Sequence, residues 1–196
     1  MQISNPSRSL AFDPLSLATR PLAVKLAFVF AGTLVLALAS QIAVPMVPVP
    51  ITMQTFAVTM IGALYGWRLG VLTVLAWLGE AMLGAPVLAG GAGGLAPFAG
   101  PTAGYLVSFP LVAALAGLLA ERGWTGNRVI RSFGAHLLAN LLCLVLGGLY
   151  LAAMIGAEQA WLLGVAPFVL GAVLKSALAA AVLKAMRRFG DRARLG

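Results

Sequence analysis

Charged side chains are scarce in this sequence, and the acidic ones are the scarcest. Asp, Glu, Lys and Arg together make up 9% of the 196 residues, and Asp and Glu number five. Neither paired carboxylates, nor metal-ligand spacing, nor a Ser/His/Asp order stands out, which argues against an enzyme and predicts no metal or cofactor. No G-x-x-x-x-G-K-[ST] is present, so any ATP that drives this protein must be hydrolysed by another subunit.

The chain has a single cysteine, Cys143, which excludes a disulfide within the chain. It lies in an apolar stretch and is interpreted as a small core hydrophobe. The net charge of +8 could suggest nucleic-acid binding. However, the basic residues sit in short loops and tails, a bias that orients membrane proteins and attracts anionic lipid headgroups. We therefore expect a lipid bilayer as the partner and no nucleic acid.

Apolar residues dominate the composition, at 61% with a mean hydropathy of +1.01. A helix of about 20 apolar residues crosses a bilayer core of about 30 Å. The sequence thus predicts an all-α integral membrane protein that forms one domain over 1–196. Segments rich in proline or glycine separate the apolar stretches, and 156–165 reads as a short interfacial connector. The predicted six transmembrane helices cover about 22–44, 51–65, 69–82, 101–120, 132–154 and 166–187.

The distribution of Lys and Arg predicts the orientation. Twelve of the thirteen lie in segments that share one side of the membrane when there are six spans, and the three opposite loops have none. Because basic loops stay in the cytoplasm, both termini are predicted to lie on the cytoplasmic side of the inner membrane. The irregular loops would then face outward, over a ligand pocket. The twelve are Arg8, Arg20, Lys25, Arg68, Arg122, Arg128, Arg131, Lys184, Arg187, Arg188, Arg192 and Arg194.

The exception is Lys175, inside the last apolar stretch. A cation in hydrocarbon costs several kcal/mol, so it usually faces the protein interior and marks a functional site. Counted from Pro167, it lies about 12 Å deep at 1.5 Å per residue. We favour a ligand carboxylate as its partner over an internal pair with Glu80, the one acidic residue within a predicted span that could reach it.

Other polar residues of the predicted spans have two interpretations each. Thr52 and Gln54 could contact a polar ligand or satisfy the irregular backbone beside them. Glu80 could be a site residue or a solvated carboxylate at a helix end. For Asn140, a hydrogen bond to a neighbouring helix is favoured over a contact with the ligand. His136 is interpreted as a lone interfacial histidine. The glycines of 84–104, Gly91 among them, could let backbone N–H groups approach a ligand.

Three motifs, VPVPITMQTFAV, WLGEAMLGAPVLAGGAGG and GPTAGYLVSF, carry a family resemblance. In order and spacing they resemble the BioY family of biotin transporters, the substrate-binding (S) components of energy-coupling factor (ECF) transporters. The resemblance covers nearly the whole chain. It implies six helices, biotin as the transported substrate, and a partner module made of a transmembrane coupling protein and two ATPase subunits.

The resemblance also implies site residues. Lys175 matches the lysine of the last-helix motif and would meet the carboxylate or the ureido carbonyl of biotin. The three motifs contain Thr52, Gln54, Glu80 and Tyr105, which could line the cavity with polar groups. Ala172 stands where the family motif has an acidic residue, and Leu88 replaces a phenylalanine. The alternatives are an S component for another small vitamin, suggested by the change to alanine, or a stand-alone channel or secondary transporter.

The first span carries a stripe of small residues, Ala23, Ala27 and Ala31, spaced every four residues. Such stripes let two helix backbones approach closely in lipid. S components generally dock on the coupling protein through an alanine-spaced first helix, so the resemblance predicts that this stripe is the docking surface. Packing of the stripe within the protein's own bundle is the alternative, equally compatible with the spacing.

Overall fold

A computed structural model describes residues 15, 17–126 and 128–193. Arg8 and Arg194, which enter the predicted topology, lie outside the described residues. Five helices in the described part are long and apolar enough to cross a membrane. They are α1 (Leu22–Gln41), α2 (Gln54–Met82), α4 (Ala103–Glu121), α5 (Val129–Ile155) and a continuous stretch, Ala157–Phe189, that contains α6 (Ala157–Ala160) and most of α7 (Ala166–Ala193). The predicted all-α membrane class is confirmed at this level.

Helix α2 reverses direction at Gly66. This residue has φ 76° and ψ 165°, a left-handed conformation that glycine adopts without steric strain. A Cβ on Gly70 would stand 2.9 Å from the Cα of Gly62. In a straight helix, eight residues would separate these positions by about 12 Å. The two halves of α2 therefore pack against each other, and they correspond to the predicted spans 51–65 and 69–82.

The proline-rich segment forms a short ribbon between α1 and α2. Strands β1 (Ala43–Val44) and β2 (Ile51–Thr52) pair antiparallel, with Ala43 opposite Thr52. Helix α1 therefore ends at Gln41 rather than 44, and α2 begins at Gln54 rather than 51. The cause is the proline spacing, which denies the helix its backbone donors.

Two segments outside the predicted spans contain helical turns. Residues 84–100, predicted to be non-helical, include a 3-10 turn (Ala89–Gly91) and the short helix α3 (Ala96–Ala99). The predicted connector at 156–165 is helical and runs through a π-helical turn (Trp161–Val165) into α7. Pro167 lies two residues after this turn. Proline has no N–H to donate to the carbonyl four residues earlier, and in a regular helix its ring would clash with that carbonyl. A wider turn relieves this clash.

Glycines bring α2 and α4 into backbone contact. A Cβ on Gly117 would lie 2.6 Å from the Cα of Trp67 and 2.8 Å from the carbonyl oxygen of Gly62. Glu121, at the end of α4, accepts a hydrogen bond of 3.1 Å from the N–H of Trp67, the first residue after the reversal. Because lipid offers helices no hydrophobic driving force, such close van der Waals packing stabilises the bundle. This contact holds α4 against both halves of α2.

Replacing Gly117 with valine should destabilise the protein. The added side chain would meet backbone atoms that cannot rotate away, which typically costs about 1–3 kcal/mol. Thermal unfolding in detergent should show a clear drop in Tm. Gly79→Ala is the matched control, because nothing lies within 4 Å of its Cβ position and alanine favours a helix. Equal melting of the two variants would contradict the assigned packing.

Candidate functional site

A cavity of about 300 Å³ lies where the ribbon, the glycine-rich segment and the long helices meet. Its size is typical of a site for a small molecule. The ribbon and residues 88–102 cover one side of it, and side chains of α2, α4, α5 and α7 form the rest. Its polar and charged side chains are Thr52, Gln54, Thr55, Thr102, Tyr105, Asn140, Cys143 and Lys175.

Lys175 lines this cavity from α7. Its Nζ donates hydrogen bonds to the Thr55 hydroxyl at 2.7 Å and to the Thr52 carbonyl oxygen at 3.1 Å. Glu80 is not among the cavity-lining residues, and no described carboxylate pairs with this ammonium. The internal pair with Glu80 that the sequence left open is therefore not formed.

Thr52 and Gln54 bond mainly to each other. The Thr52 hydroxyl donates to Gln54 Oε1 at 3.0 Å and accepts from the Gln54 N–H at 3.2 Å. Gln54 Nε2 donates to the Ser40 hydroxyl at 3.1 Å, which ties α1 to the start of α2. An amide has two donors and several lone pairs, so Gln54 keeps one N–H and one acceptor position for a ligand. Thr52 thus bonds to its neighbour and also lines the cavity, and Gln54 can serve both roles.

Tyr105 and Phe168 form an aromatic wall. Their rings stack with centroids 6.2 Å apart, and the Tyr105 hydroxyl donates to the Gly164 carbonyl oxygen at 2.7 Å. A Cβ on Gly147 would overlap the Tyr105 ring, so this glycine makes room for the wall. The carbonyl that Tyr105 reaches belongs to the π-helical turn. One wall of the cavity is thereby joined to the segment that precedes α7.

Asn140 forms the hydrogen bond between helices that was favoured for it, and it also lines the cavity. Its Nδ2 donates to the His136 carbonyl oxygen at 2.9 Å and to the Ser176 hydroxyl at 3.2 Å, which links α5 to α7. Both N–H groups are therefore used, and Oδ1 remains to accept a hydrogen bond from a ligand. His136 itself is 1% exposed, so its side chain is buried within the protein.

Two predicted site residues do not line the cavity. Glu80 is half-buried near the end of α2, and Gly91 is exposed, with φ 72° in the 3-10 turn. Leu88, Ala89 and Ala92, which lie close to Gly91 along the chain, line the cavity. The path of this irregular segment decides which of its residues face inward, and residue type does not reveal that path.

Several lining residues were not singled out from sequence. Thr55 and Phe168 are the main ones. Phe168 precedes Lys175 by seven residues on α7, so helical spacing was the available signal there. Thr55 directly follows Gln54 at the start of α2, and its place next to a predicted site residue was the available signal. Cys143, interpreted as a core hydrophobe, is buried as expected and also lines the cavity.

The arrangement suits a small molecule with polar ends and an apolar middle. It provides one cation, two side-chain amides and an aromatic wall. Residues 17–126 and 128–193 bring together no group of His, Cys, Asp and Glu side chains that could hold a metal ion. The chemistry available is binding by charge, hydrogen bonds and apolar contact.

Comparisons with known proteins point to one family. A family model described as the BioY family matches residues 10–192. A probable biotin transporter BioY from Pyrococcus horikoshii is 35% identical over 148 residues, covering 76% of this chain and 86% of the relative. A biotin transporter BioY from Rhizobium etli is 38% identical over 166 residues, covering 80% of this chain and 88% of the relative. Among solved structures, the S-component for biotin from an ECF-type ABC transporter matches with a TM-score of 0.74 and 25% identity, covering 85% of this chain and 92% of that one.

Proposed function

We propose, because this chain belongs to the BioY family, that it binds biotin in the described cavity and mediates its uptake across a membrane. It would do so as the S component of an ECF-type ABC transporter. The observation that carries the proposal is a cavity with one cation and an aromatic wall in a fold similar to that of a biotin S-component. The family and its relatives are transporters, so the protein is not an enzyme.

The chemistry of biotin fits the lining residues. Biotin has a carboxylate, an apolar tail and ring, and a ureido group with two N–H donors and a carbonyl acceptor. Lys175 offers a charged donor, and Asn140 Oδ1 offers an acceptor. Gln54 retains a donor and an acceptor, and Tyr105 with Phe168 provides an apolar face. Each polar group of the ligand thus has a candidate partner, as a dry site requires.

The most direct test is to purify the protein in detergent and identify co-purifying small molecules by mass spectrometry. We expect biotin, and we expect added biotin to bind in calorimetry. Recovery of a different vitamin, with no binding of biotin, would instead support an S component for another substrate, the alternative raised by Ala172.

Replacement of Lys175 by alanine should weaken biotin binding by about 1.5–3 kcal/mol, or tenfold to more than a hundredfold, because a charged hydrogen bond in a dry cavity is lost. Lys175→Arg should retain part of the affinity, since a planar guanidinium cannot replace a compact ammonium. Calorimetry measures both. Unchanged affinity of the alanine variant would mean that the lysine has a structural role only.

We further propose six membrane crossings with both termini in the cytoplasm. The reversal at Gly66 supports two short crossings within α2, because its halves pack side by side. The distribution of basic residues supports the orientation and suggests the inner (cytoplasmic) membrane. In this arrangement the ribbon and the glycine-rich segment lie on the outer side, above the cavity.

Reporter fusions test this topology. An alkaline-phosphatase-type reporter should be active when inserted in 45–50 or 84–100, and inactive in 121–131. A straight α2 would instead put 45–50 and 84–100 on opposite sides. Activity at only one of these two positions would therefore rule out the double crossing, and activity in 121–131 would rule out the orientation.

We also propose that the coupling protein of an ECF module docks on α1. Ala23, Ala27 and Ala31 are all exposed in the structure, which favours docking over packing within the bundle. Large apolar side chains such as Leu26 and Phe30 flank them and are more than half exposed. An exposed stripe of small residues between large ones forms a groove that a partner helix can enter in lipid.

Substitution of Ala27 by tryptophan should block docking, because the bulky side chain fills this groove. We expect loss of co-purification with the coupling protein and the two ATPases, and loss of ATP-driven uptake, with biotin binding intact. Leu38→Trp is the control, since Leu38 is 69% exposed on the same helix but lies beyond the stripe. If Ala27→Trp abolishes binding as well, the stripe supports the protein's own fold.

Stand-alone transport remains a second candidate because of one observation. Buried polar groups extend along the bundle beyond the cavity: Thr125 Oγ1, Ser132 Oγ and His136 Nδ1 have no hydrogen-bond partner among the described residues. Such groups bind water when space allows, and a hydrated path through the depth of a bundle suits a self-sufficient carrier. Uptake of labelled biotin in a host that lacks ECF coupling proteins would favour this candidate, and its absence would favour the module.

A further inference from the structure

The N-terminal end of α5 collects positive charge. Arg128 stands at the N-cap position of this helix and Arg131 in its first turn, and both side chains are exposed. The first turn contains no acidic residue, and the N-cap side chain makes no capping hydrogen bond. Because the first N–H groups of a helix give that end a partial positive charge, cations are unfavourable there. An anion at this end would satisfy both the helix and the arginines.

The loop between α4 and α5 brings a third arginine to the same place. Arg122 is the first residue after α4 and is exposed. Gly123 follows it with φ 83°, and Arg128 Nη1 lies 3.5 Å from the position that a Cβ would take on this glycine. The Arg128 side chain thus folds back beside Arg122. Glu121, the carboxylate next to them in the chain, accepts from the Trp67 N–H, and no described side chain forms an ion pair with these arginines.

Two buried hydroxyl groups at this end also lack partners. Thr125 Oγ1, just before α5, and Ser132 Oγ, one turn into the helix, have no hydrogen-bond partner within the described part of the chain. Thr125 is 3% exposed and Ser132 is 0% exposed. The Thr125 carbonyl accepts from the Arg128 N–H at 3.4 Å, which holds this residue beside the helix end. Buried polar groups nearly always have a partner, and an anion or the water bound to it would supply one.

Apolar side chains surround the cationic end of α5. Ile130, between two of the arginines, is 87% exposed. The Trp124 ring packs on α5, 3.7 Å from the Cβ position of Gly134, and tryptophan is enriched at the level of lipid headgroups. Further along the outer face of the same helix, four more apolar side chains are exposed: Leu138, Leu141, Val145 and Leu149. A cationic end that continues into an apolar stripe is complementary to an anionic amphiphile.

We propose that the N-terminal end of α5 binds the phosphate of an anionic phospholipid, with Arg122, Arg128 and Arg131 as its cationic partners. One acyl chain of the lipid would lie along the apolar stripe of α5. All basic loops attract anionic headgroups, but this end adds a helix terminus and unpaired hydroxyls at the same point. The site is separate from the ligand cavity and goes beyond the proposed function. In the proposed orientation it lies in the cytoplasmic leaflet.

The test measures lipid binding to the purified protein by native mass spectrometry. Phosphatidylglycerol should bind at least about tenfold more tightly than phosphatidylcholine, which has the same phosphate but a cationic choline. Arg128→Gln combined with Arg131→Gln should bring this ratio toward one. The matched control combines Arg187→Gln with Arg188→Gln, two exposed residues near the C-terminal end of α7, where a helix favours cations. The control should keep the ratio.

A competition experiment separates a lipid site from a site for a free anion. Glycerol phosphate carries the charge of the headgroup without acyl chains, so at equal concentration it should not displace phosphatidylglycerol. Thermal unfolding gives a second measurement, since a ligand that binds the folded protein raises its Tm. Phosphatidylglycerol should raise the Tm of the unsubstituted protein and of the α7 control, but not that of the α5 variant.

Three results would overturn the proposal. Equal binding of the two phospholipids by the unsubstituted protein is the first, and it needs no variant. Equal loss of the preference in the α5 and α7 variants would show a general attraction to basic residues and no site. Displacement by glycerol phosphate at equal concentration would show an anion site that does not recognise a lipid. Calorimetry with biotin on the same samples tests the proposed function separately, and the α5 variant should bind biotin as the unsubstituted protein does.

Discussion

The structure depends on the rule that a polar group in hydrocarbon must find its partner within the protein. Irregular backbone is tolerated at membrane depth only where it is buried or lines a cavity. In this protein the backbone is irregular where the ribbon leads into α2, and the Thr52 carbonyl lies there. Lys175, the one cation far inside an apolar stretch, bonds to that carbonyl. The unpaired backbone and the buried charge therefore satisfy each other, and the ligand cavity forms around them.

The absence of a hydrophobic driving force between helices in lipid explains the role of glycine. Helices there associate through close packing, which requires small residues at the contacts. Gly62 and Gly117 let α2 and α4 touch along their backbones, and Gly147 leaves the space that the Tyr105 ring fills. The same residue type thus holds the bundle together in one place and shapes the cavity in another. The aromatic wall is as much a consequence of a missing side chain on α5 as of the tyrosine on α4.

Sequence patterns predicted the helices better than the site. Hydropathy and proline placed the ends of α1, α4 and α5 within about three residues, because both act locally along the chain. The segment at 157–165 was interpreted as a short interfacial connector, and no local pattern indicated that it continues as a helix into α7. Lys175, Gln54 and Asn140 were singled out by polarity in or beside apolar stretches, and Tyr105 by the family resemblance. All four line the cavity. Glu80 and Gly91 do not line the cavity, and their assignment to the site stays a prediction. For Gly91, the course of the loop depends on tertiary contacts that no local pattern records.

Helix α1 connects the two surfaces that the proposed function needs. Its first half carries the exposed alanines, and its last turn contacts the cavity rim. Ser40 accepts a hydrogen bond from Gln54, and Gln41 donates one of 3.1 Å to the Leu88 carbonyl in the glycine-rich segment. A partner that shifts or tilts α1 would therefore act directly on the contacts that hold Gln54 and Leu88, two residues of the cavity lining. Coupling between two sites requires an element that contacts both and differs between states. Because α1 is a single helix of 20 residues with few buried side chains, it can move as a unit at lower cost than α4, which is packed on several sides. Under the proposed function, this geometry would give ATP-driven release a physical route from the docking surface on α1 to the ligand.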